Sequence, residues 1–78
     1  MSNYKHCVNE KSTIELVEGI KENWNNLHNA DFSNLTDEQV NSSETILAYA
    51  QCIKDRGLDL SNLSLIAYRA YKNCLENY

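Results

Sequence analysis

The stretch TDEQVNSSETILAYAQCIKDRG, residues 36–57, contains the signals for both ends of one long helix. Thr36 is placed to be the N-cap, because its hydroxyl can accept from the backbone N–H of Gln39 while the Gln39 side chain reaches back to the N–H of Thr36. Leu35 before the cap and Val40 after it have the spacing of a hydrophobic staple. The sequence therefore predicts that a helix begins immediately after Thr36.

The other end of this helix is marked by Gly57. Glycine adopts the left-handed conformation at little cost, and a basic residue such as Lys54 in the last turn faces the negative end of the helix dipole. Leu58 is expected to fold back on Ile53, which is the apolar contact of a Schellman ending. The predicted helix covers about residues 36–56.

Apolar residues within this helix recur at steps of three and four and predict one buried side. The residues expected there are Val40, Ile46, Leu47, Ala50 and Ile53, with Tyr49 and Cys52 beside them. The residues that form helices poorly are Asn41, Ser42 and Ser43. The first half of the helix is therefore expected to be its less stable half.

A first helix is predicted over about residues 12–29, because Ser12 and Glu15 have the spacing of a capping box. The residues expected to face the core are Ile14, Val17, Ile20 or Lys21, Trp24 and Leu27. Gly19 inside this helix costs about 1 kcal/mol relative to alanine. Its presence suggests that a neighbouring helix approaches closely at this point.

A third helix is predicted over about residues 60–77, with either Asp59 or Ser61 as its cap. The residues expected to face the core are Leu63, Ile66, Ala67, Ala70, Cys74 and Leu75. Three helices joined by short loops predict an all-α bundle. It should form a single domain over residues 1–78, with residues 1–11 as a short N-terminal arm.

Composition and charge exclude several classes of protein. The chain has 78 residues and a formal net charge of −4, and it shows no basic stripe of the kind that binds duplex DNA. No apolar run approaches the ~20 residues that span a bilayer, and no signal-peptide core follows the N-terminus, so a cytoplasmic protein is expected. Cys7, Cys52 and Cys74 lack paired spacing and are expected to be reduced thiols.

Motifs for catalysis are absent from the sequence. There is no glycine-rich phosphate loop, no nucleophile elbow and no pair of carboxylates with catalytic spacing. A metal site would have to be assembled from His6, Cys7, His28, Cys52 and Cys74, which include no CxxC or HxxxH spacing. We therefore expect a protein that is not an enzyme and that holds no metal and no cofactor.

Residues 48–68 resemble a helix-turn-helix, the DNA-binding hairpin. The residues that match its apolar positions and turn glycine are Ile53, Gly57, Leu63 and Ile66. This resemblance implies a nucleic-acid-linked regulator, which stands as an alternative function. The outward face of the reading helix would consist of Asp59, Ser61, Ser64, Leu65 and Tyr68. That face lacks the Lys and Arg that contact phosphates and guanine, so direct nucleic-acid binding is not expected.

The last predicted helix also carries a second apolar stripe, rotated from the expected core side. Its members are Tyr68, Tyr71, Leu75 and Tyr78. Tyrosine is enriched at protein interfaces, so this stripe is the predicted interface. The alternative is that the N-terminal arm covers it with Tyr4 and Val8. On the first helix an acidic face, formed by Glu15, Glu18 and Glu22, is expected to orient a partner.

These observations favour a small acidic protein-binding module, a regulator or inhibitor that masks a surface of a larger host protein. Eleven asparagines and no proline are typical of AT-rich genomes, and a phage or mobile-element protein fits this size and composition. A homodimer and a structural subunit of a larger complex are the alternatives for its assembly.

Overall fold

The computed structural model describes residues 10–77, which form four α-helices and no strand. The helices are α1 (Thr13–Asn25), α2 (Asp37–Asp55), α3 (Leu60–Leu63) and α4 (Leu65–Asn77). The predicted all-α class is confirmed. Most of the predicted arm, together with Tyr78, lies outside the described residues. None of the helices in the described part combines the length and the apolar character that crossing a bilayer requires.

Both predicted capping boxes are present. The Ser12 N–H donates to Glu15 Oε1 at 2.8 Å, and the Glu15 N–H donates to Ser12 Oγ at 3.2 Å. At the start of α2, the Thr36 N–H donates to Gln39 Oε1 at 3.0 Å and the Gln39 N–H to Thr36 Oγ1 at 3.2 Å. These bonds satisfy N–H groups that have no partner within the helix, so each helix begins where its sequence predicts.

The end of α2 is the predicted Schellman ending. Gly57 has a φ of 79°, in the left-handed region. The Gly57 N–H donates to the Lys54 carbonyl at 2.9 Å, and the Leu58 N–H donates to the Ile53 carbonyl at 3.3 Å. This pair of bonds satisfies two carbonyls of the last turn and folds the chain back beyond the helix.

The first helix is shorter than predicted, ending at Asn25 instead of near residue 29. The Leu27 N–H donates to the Trp24 carbonyl at 3.0 Å, so the chain continues as a turn. Asn29 closes this turn with a φ of 65°, a conformation that asparagine tolerates better than most residues. Leu27 is buried as predicted, although it belongs to this turn and not to the helix.

The third predicted helix is divided at Ser64, whose backbone is extended with φ −162° and ψ 119°. The Ser64 hydroxyl accepts from the Ala67 N–H at 3.2 Å and so caps the start of α4. Asp59 is the cap of α3, which settles the choice between Asp59 and Ser61. The sequence prediction missed Ser64 as a third capping residue in the same stretch.

The core is formed jointly by α1, α2, α4 and the segments between them. Its buried apolar residues are Leu16, Val17, Ile20, Leu27, Ile46, Ala50, Cys52, Ile53, Leu60, Ala67, Ala70 and Cys74. Eight of the residues predicted to face the core are therefore buried, besides Leu27. The prediction was wrong for Ile14, Leu63, Ile66 and Leu75, which are exposed.

Three of these errors follow from how α1 and α4 are rotated, and the fourth, Leu63, lies on the separate helical turn α3. On α1 the buried side runs through Leu16, so that Ile14 faces outward. On α4 the break at Ser64 starts a new helix whose buried positions are Ala67, Ala70 and Cys74. These small residues allow close helix packing, and the larger side chains nearby turn to the surface. Val40, Leu47 and Trp24 are half-buried, although the sequence placed them in the core.

Gly19 allows the close approach that the sequence suggested, and its partner is Tyr49 of α2. A Cβ atom at Gly19 would lie 2.5 Å from a ring carbon of Tyr49. Such a distance is well inside van der Waals contact, so the ring occupies the space that any other residue would need. The packing of α1 on α2 therefore depends on glycine at this position.

Arg56 connects the end of α2 to the chain just before α1. Its guanidinium donates to Thr13 Oγ1 at 3.0 Å and also to the carbonyl oxygen of Lys11. These residues are more than forty positions away in the sequence. The contact fixes the N-terminal end of α1 beside the C-terminal end of α2.

Two serines in the first half of α2, Ser42 and Ser43, are buried, although only apolar residues were predicted on the buried side of this helix. Ser42 Oγ accepts from Asn26 Nδ2 at 3.1 Å, which ties α2 to the turn after α1. Ser43 is fully buried, and among residues 10–77 its hydroxyl has no hydrogen bond of ordinary geometry; it interacts with the Cys74 thiol, a weak partner. A buried hydroxyl without such a bond loses its hydration without full compensation.

The Gly19→Ala change should destabilise the protein although alanine is the better helix former. The gain in helix propensity, about 1 kcal/mol, is opposed by the clash with the Tyr49 ring. In a Tyr49→Ala background the same change should become stabilising, because the obstructing ring is gone. Urea unfolding of the four proteins measures this reversal of sign. Stabilisation by Gly19→Ala in the native background would contradict the close approach.

The Ser43→Ala change should stabilise the protein, by about 1 kcal/mol. It removes a buried hydroxyl that lacks a normal hydrogen bond and introduces a stronger helix former. The matched control is Ser42→Ala, which breaks the bond with Asn26 and should be destabilising or neutral. The midpoint of thermal unfolding distinguishes the two variants. Equal destabilisation by both would show that the Ser43 hydroxyl has an effective partner.

Candidate protein-binding surfaces

The predicted tyrosine stripe is not a continuous exposed face. Tyr68 and Tyr71 are half-buried and pack against the core. Leu75 is 55% exposed and contributes to neither of the grooves that Tyr68 lines. Tyr78 lies outside the described residues. The structure therefore brings Tyr68 and Tyr71 together and leaves Leu75 apart from the grooves.

The three glutamates of the predicted acidic face, Glu15, Glu18 and Glu22, are all exposed. Two of them also have structural partners. Glu15 belongs to the capping box, where hydrogen bonds with the backbone and then the side chain of Ser12 lower its pKa. Glu18 accepts from Lys21 Nζ at 3.2 Å in an ion pair. The face is thus partly neutralised by its own helix.

A surface that the sequence did not predict lies between α1 and α3, and we call it the aliphatic groove. It has a volume of about 250 Å³. Its apolar and neutral lining consists of Thr13, Ile14, Val17, Leu63 and Ser64. The Glu18–Lys21 ion pair also borders it. The groove therefore combines an aliphatic lining with a pair of opposite charges.

The apolar residues in and beside the aliphatic groove are unusually exposed. Ile14 is 75% exposed and Leu63 is 44% exposed. Leu65 and Ile66, which follow Leu63 and Ser64 in the chain, are 58% and 56% exposed. A signal was present in the sequence, since residues 60–67 contain more large apolar residues than one side of a helix can bury.

A second surface surrounds Tyr68, and we call its two adjoining grooves the tyrosine surface. The first groove, of about 370 Å³, is lined by Lys54, Leu58, Asp59, Leu60, Tyr68, Tyr71 and Lys72. The second, of about 430 Å³, is lined by Trp24, Tyr68, Arg69, Lys72, Asn73 and Glu76. Lys72 Nζ lies 5.9 Å from the centre of the Tyr68 ring, within the range of a cation–π contact.

Burial limits the access of reagents to the two cysteines in the described residues. Cys52 and Cys74 are both buried, and burial raises the pKa of Cys74, an effect that the side chain of Ser43 partly opposes. A raised pKa reduces the fraction of thiolate, which is the nucleophilic form. Among residues 10–77, no group of three or more His, Cys, Asp or Glu side chains could hold a metal ion. His6 and Cys7 lie outside these residues, and His28 is exposed.

In the segment that resembles a helix-turn-helix, the part expected to be one continuous reading helix is divided into two helices. After Gly57 the chain forms only one helical turn, α3, before the extended residue Ser64. The outward positions proposed for base contacts are therefore divided between α3 and α4.

Native Cys74 should react with iodoacetamide far more slowly than Cys74 in urea-unfolded protein. Both its burial and its raised pKa act in this direction, because alkylation requires an accessible thiolate. Peptide mass spectrometry after timed labelling measures the two rates. Similar rates in the native and unfolded protein would show that the thiol is accessible in the folded chain.

Comparison of the chain with protein-family profiles, with curated proteins and with solved structures found no match. The functional proposals below rest on the aliphatic groove and the tyrosine surface. Both are open to solvent, and both offer an apolar lining bordered by charged side chains.

Proposed function

We propose that this chain is a non-enzymatic cytoplasmic protein-binding module, which masks a surface of a larger protein through the aliphatic groove. The observation that carries the proposal is the exposure of two aliphatic residues that line the groove and of two more that follow closely in the chain. They are Ile14, Leu63, Leu65 and Ile66. Contiguous apolar surface on a small protein is typical of interaction sites, because leaving it in water is unfavourable.

The size of the aliphatic groove also favours a protein partner. Small-molecule sites have volumes of roughly 300–1,000 Å³ and enclose most of their ligand. The groove is smaller than that range and open, so it suits an apolar side chain that projects from another protein. Burial of such an anchor contributes about 25 cal/mol for each Å² removed from water.

The Glu18–Lys21 ion pair beside the groove supplies a polar border. Charges at the edge of an interface influence orientation and association rate more than affinity. The acidic character that the sequence predicted for this helix can act in that way through Glu18 and Glu22. A regulator or inhibitor of a host protein would combine these charges with the aliphatic anchor site.

The test is capture of host proteins on beads that carry the purified chain, compared with the double change Ile14→Ser and Leu63→Ser. Both residues are exposed, and Leu63 is the last residue of the short helix α3, so the variant should remain folded. It should lose at least about nine-tenths of the captured partner, as expected when central apolar anchors are removed. Circular dichroism checks the fold.

Leu75→Ser is the matched control, because Leu75 is a leucine of similar exposure outside the groove. It should capture the partner as the unchanged chain does. Loss of capture in Leu75→Ser alone would assign the interface to the stripe predicted from the sequence, and retention in both variants would reject the groove. Sedimentation at several concentrations identifies a second copy of the chain as the partner if only the double variant becomes monomeric.

A further inference from the structure

The tyrosine surface differs in charge from the protein as a whole. The chain carries a net charge of −4, yet three of its seven basic side chains line the two grooves. They are Lys54, Arg69 and Lys72. Two acidic residues, Asp59 and Glu76, also line them, so the basic side chains are in excess by one positive charge in a chain whose net charge is negative. A complementary ligand is therefore anionic.

The aromatic walls of this surface are held in place by the core. Trp24, Tyr68 and Tyr71 are half-buried and pack against buried residues. Little side-chain freedom is therefore left to lose when a ligand binds. Lys72 lies over the Tyr68 ring, so a positive charge and an apolar ring face are presented side by side.

The dimensions of the surface indicate a short extended ligand. Both grooves are lined by Tyr68 and Lys72 and therefore adjoin. The lining positions on α4 extend from Tyr68 to Glu76, which is about 12 Å at 1.5 Å per residue. An extended peptide covers that length with about four residues.

We propose that the tyrosine surface binds a short acidic segment of a partner protein. An apolar side chain of the segment packs against Tyr68 and Trp24, and flanking carboxylates approach Lys54, Arg69 and Lys72. Nucleic acid fits the surface less well, because three cations are few for a polyanion and the net negative charge of the chain repels one. The proposal does not depend on the aliphatic groove, which lies between α1 and α3.

Trp24 provides a direct test, since it is the only tryptophan in the chain and lines the second groove. The probe is a capped peptide of one phenylalanine between two pairs of glutamates, titrated into the full chain while Trp24 fluorescence is recorded. We expect a saturable change in fluorescence. The same peptide with glutamine in place of glutamate should bind more weakly, and so should a ten-nucleotide oligothymidylate.

The decisive variant is Lys72→Glu, because Lys72 lines both grooves. Reversing its charge should weaken binding of the acidic peptide by about tenfold, since attraction to the peptide carboxylates is replaced by repulsion. Lys21→Glu makes the same change in net charge at a residue outside the tyrosine surface and should have a much smaller effect. Circular dichroism confirms that both variants are folded.

The Ile14→Ser and Leu63→Ser variant should bind the acidic peptide as the unchanged chain does, so the result is independent of the aliphatic groove. The proposal is rejected by any of three results: no fluorescence change at millimolar peptide, equal binding of the glutamine peptide, or equal weakening by Lys21→Glu and Lys72→Glu. Tighter binding of the oligothymidylate would reassign the surface to single-stranded nucleic acid and would also overturn the proposal.

Discussion

Close approach between helices is the constraint on which the rest of this structure depends. The ring of Tyr49 occupies the place that a side chain at Gly19 would need, and this contact sets the separation of α1 and α2. On the other side, α4 presents Ala67, Ala70 and Cys74 to the core. Small residues bring the helix backbones together, and the resulting close packing stabilises a domain whose fully buried residues include no aromatic side chain among those described.

Close packing of small residues also determines which apolar side chains remain exposed to solvent. A domain of this size buries a smaller share of its surface than a larger one, and its core has few positions for bulky residues. Leucines and isoleucines near the break at Ser64 therefore remain at the surface. The exposure of the aliphatic residues that support the proposed function is a consequence of the same close packing of helices in the core.

The two surfaces offer different chemistry on different parts of the molecule. The aliphatic groove lies between α1 and α3 and is bordered by a compensated ion pair. The tyrosine surface is lined mainly by α4 and carries the excess of basic side chains. This arrangement supports a module that contacts an apolar anchor at one place and an acidic segment at another.

The sequence by itself determined the class of the fold and most helix ends. Thr36, Ser12 and Gly57 act through hydrogen bonds and backbone conformations within a few residues, so their effect can be predicted without knowledge of distant contacts. The acidic face could also be located, because Glu15, Glu18 and Glu22 have helical spacing and need only remain exposed.

Only the tertiary structure decided which apolar residues are buried and which form the surfaces. Apolar spacing on α4 is compatible with more than one rotation of the helix, and the extended residue Ser64 together with the fit of Ala67 and Ala70 selects one of them. Ile14 and Leu63 line one groove, and Trp24 and Tyr68 line another, although the members of each pair are more than forty residues apart in the sequence. Such arrangements result from the packing of whole helices, and local spacing in the sequence does not specify them.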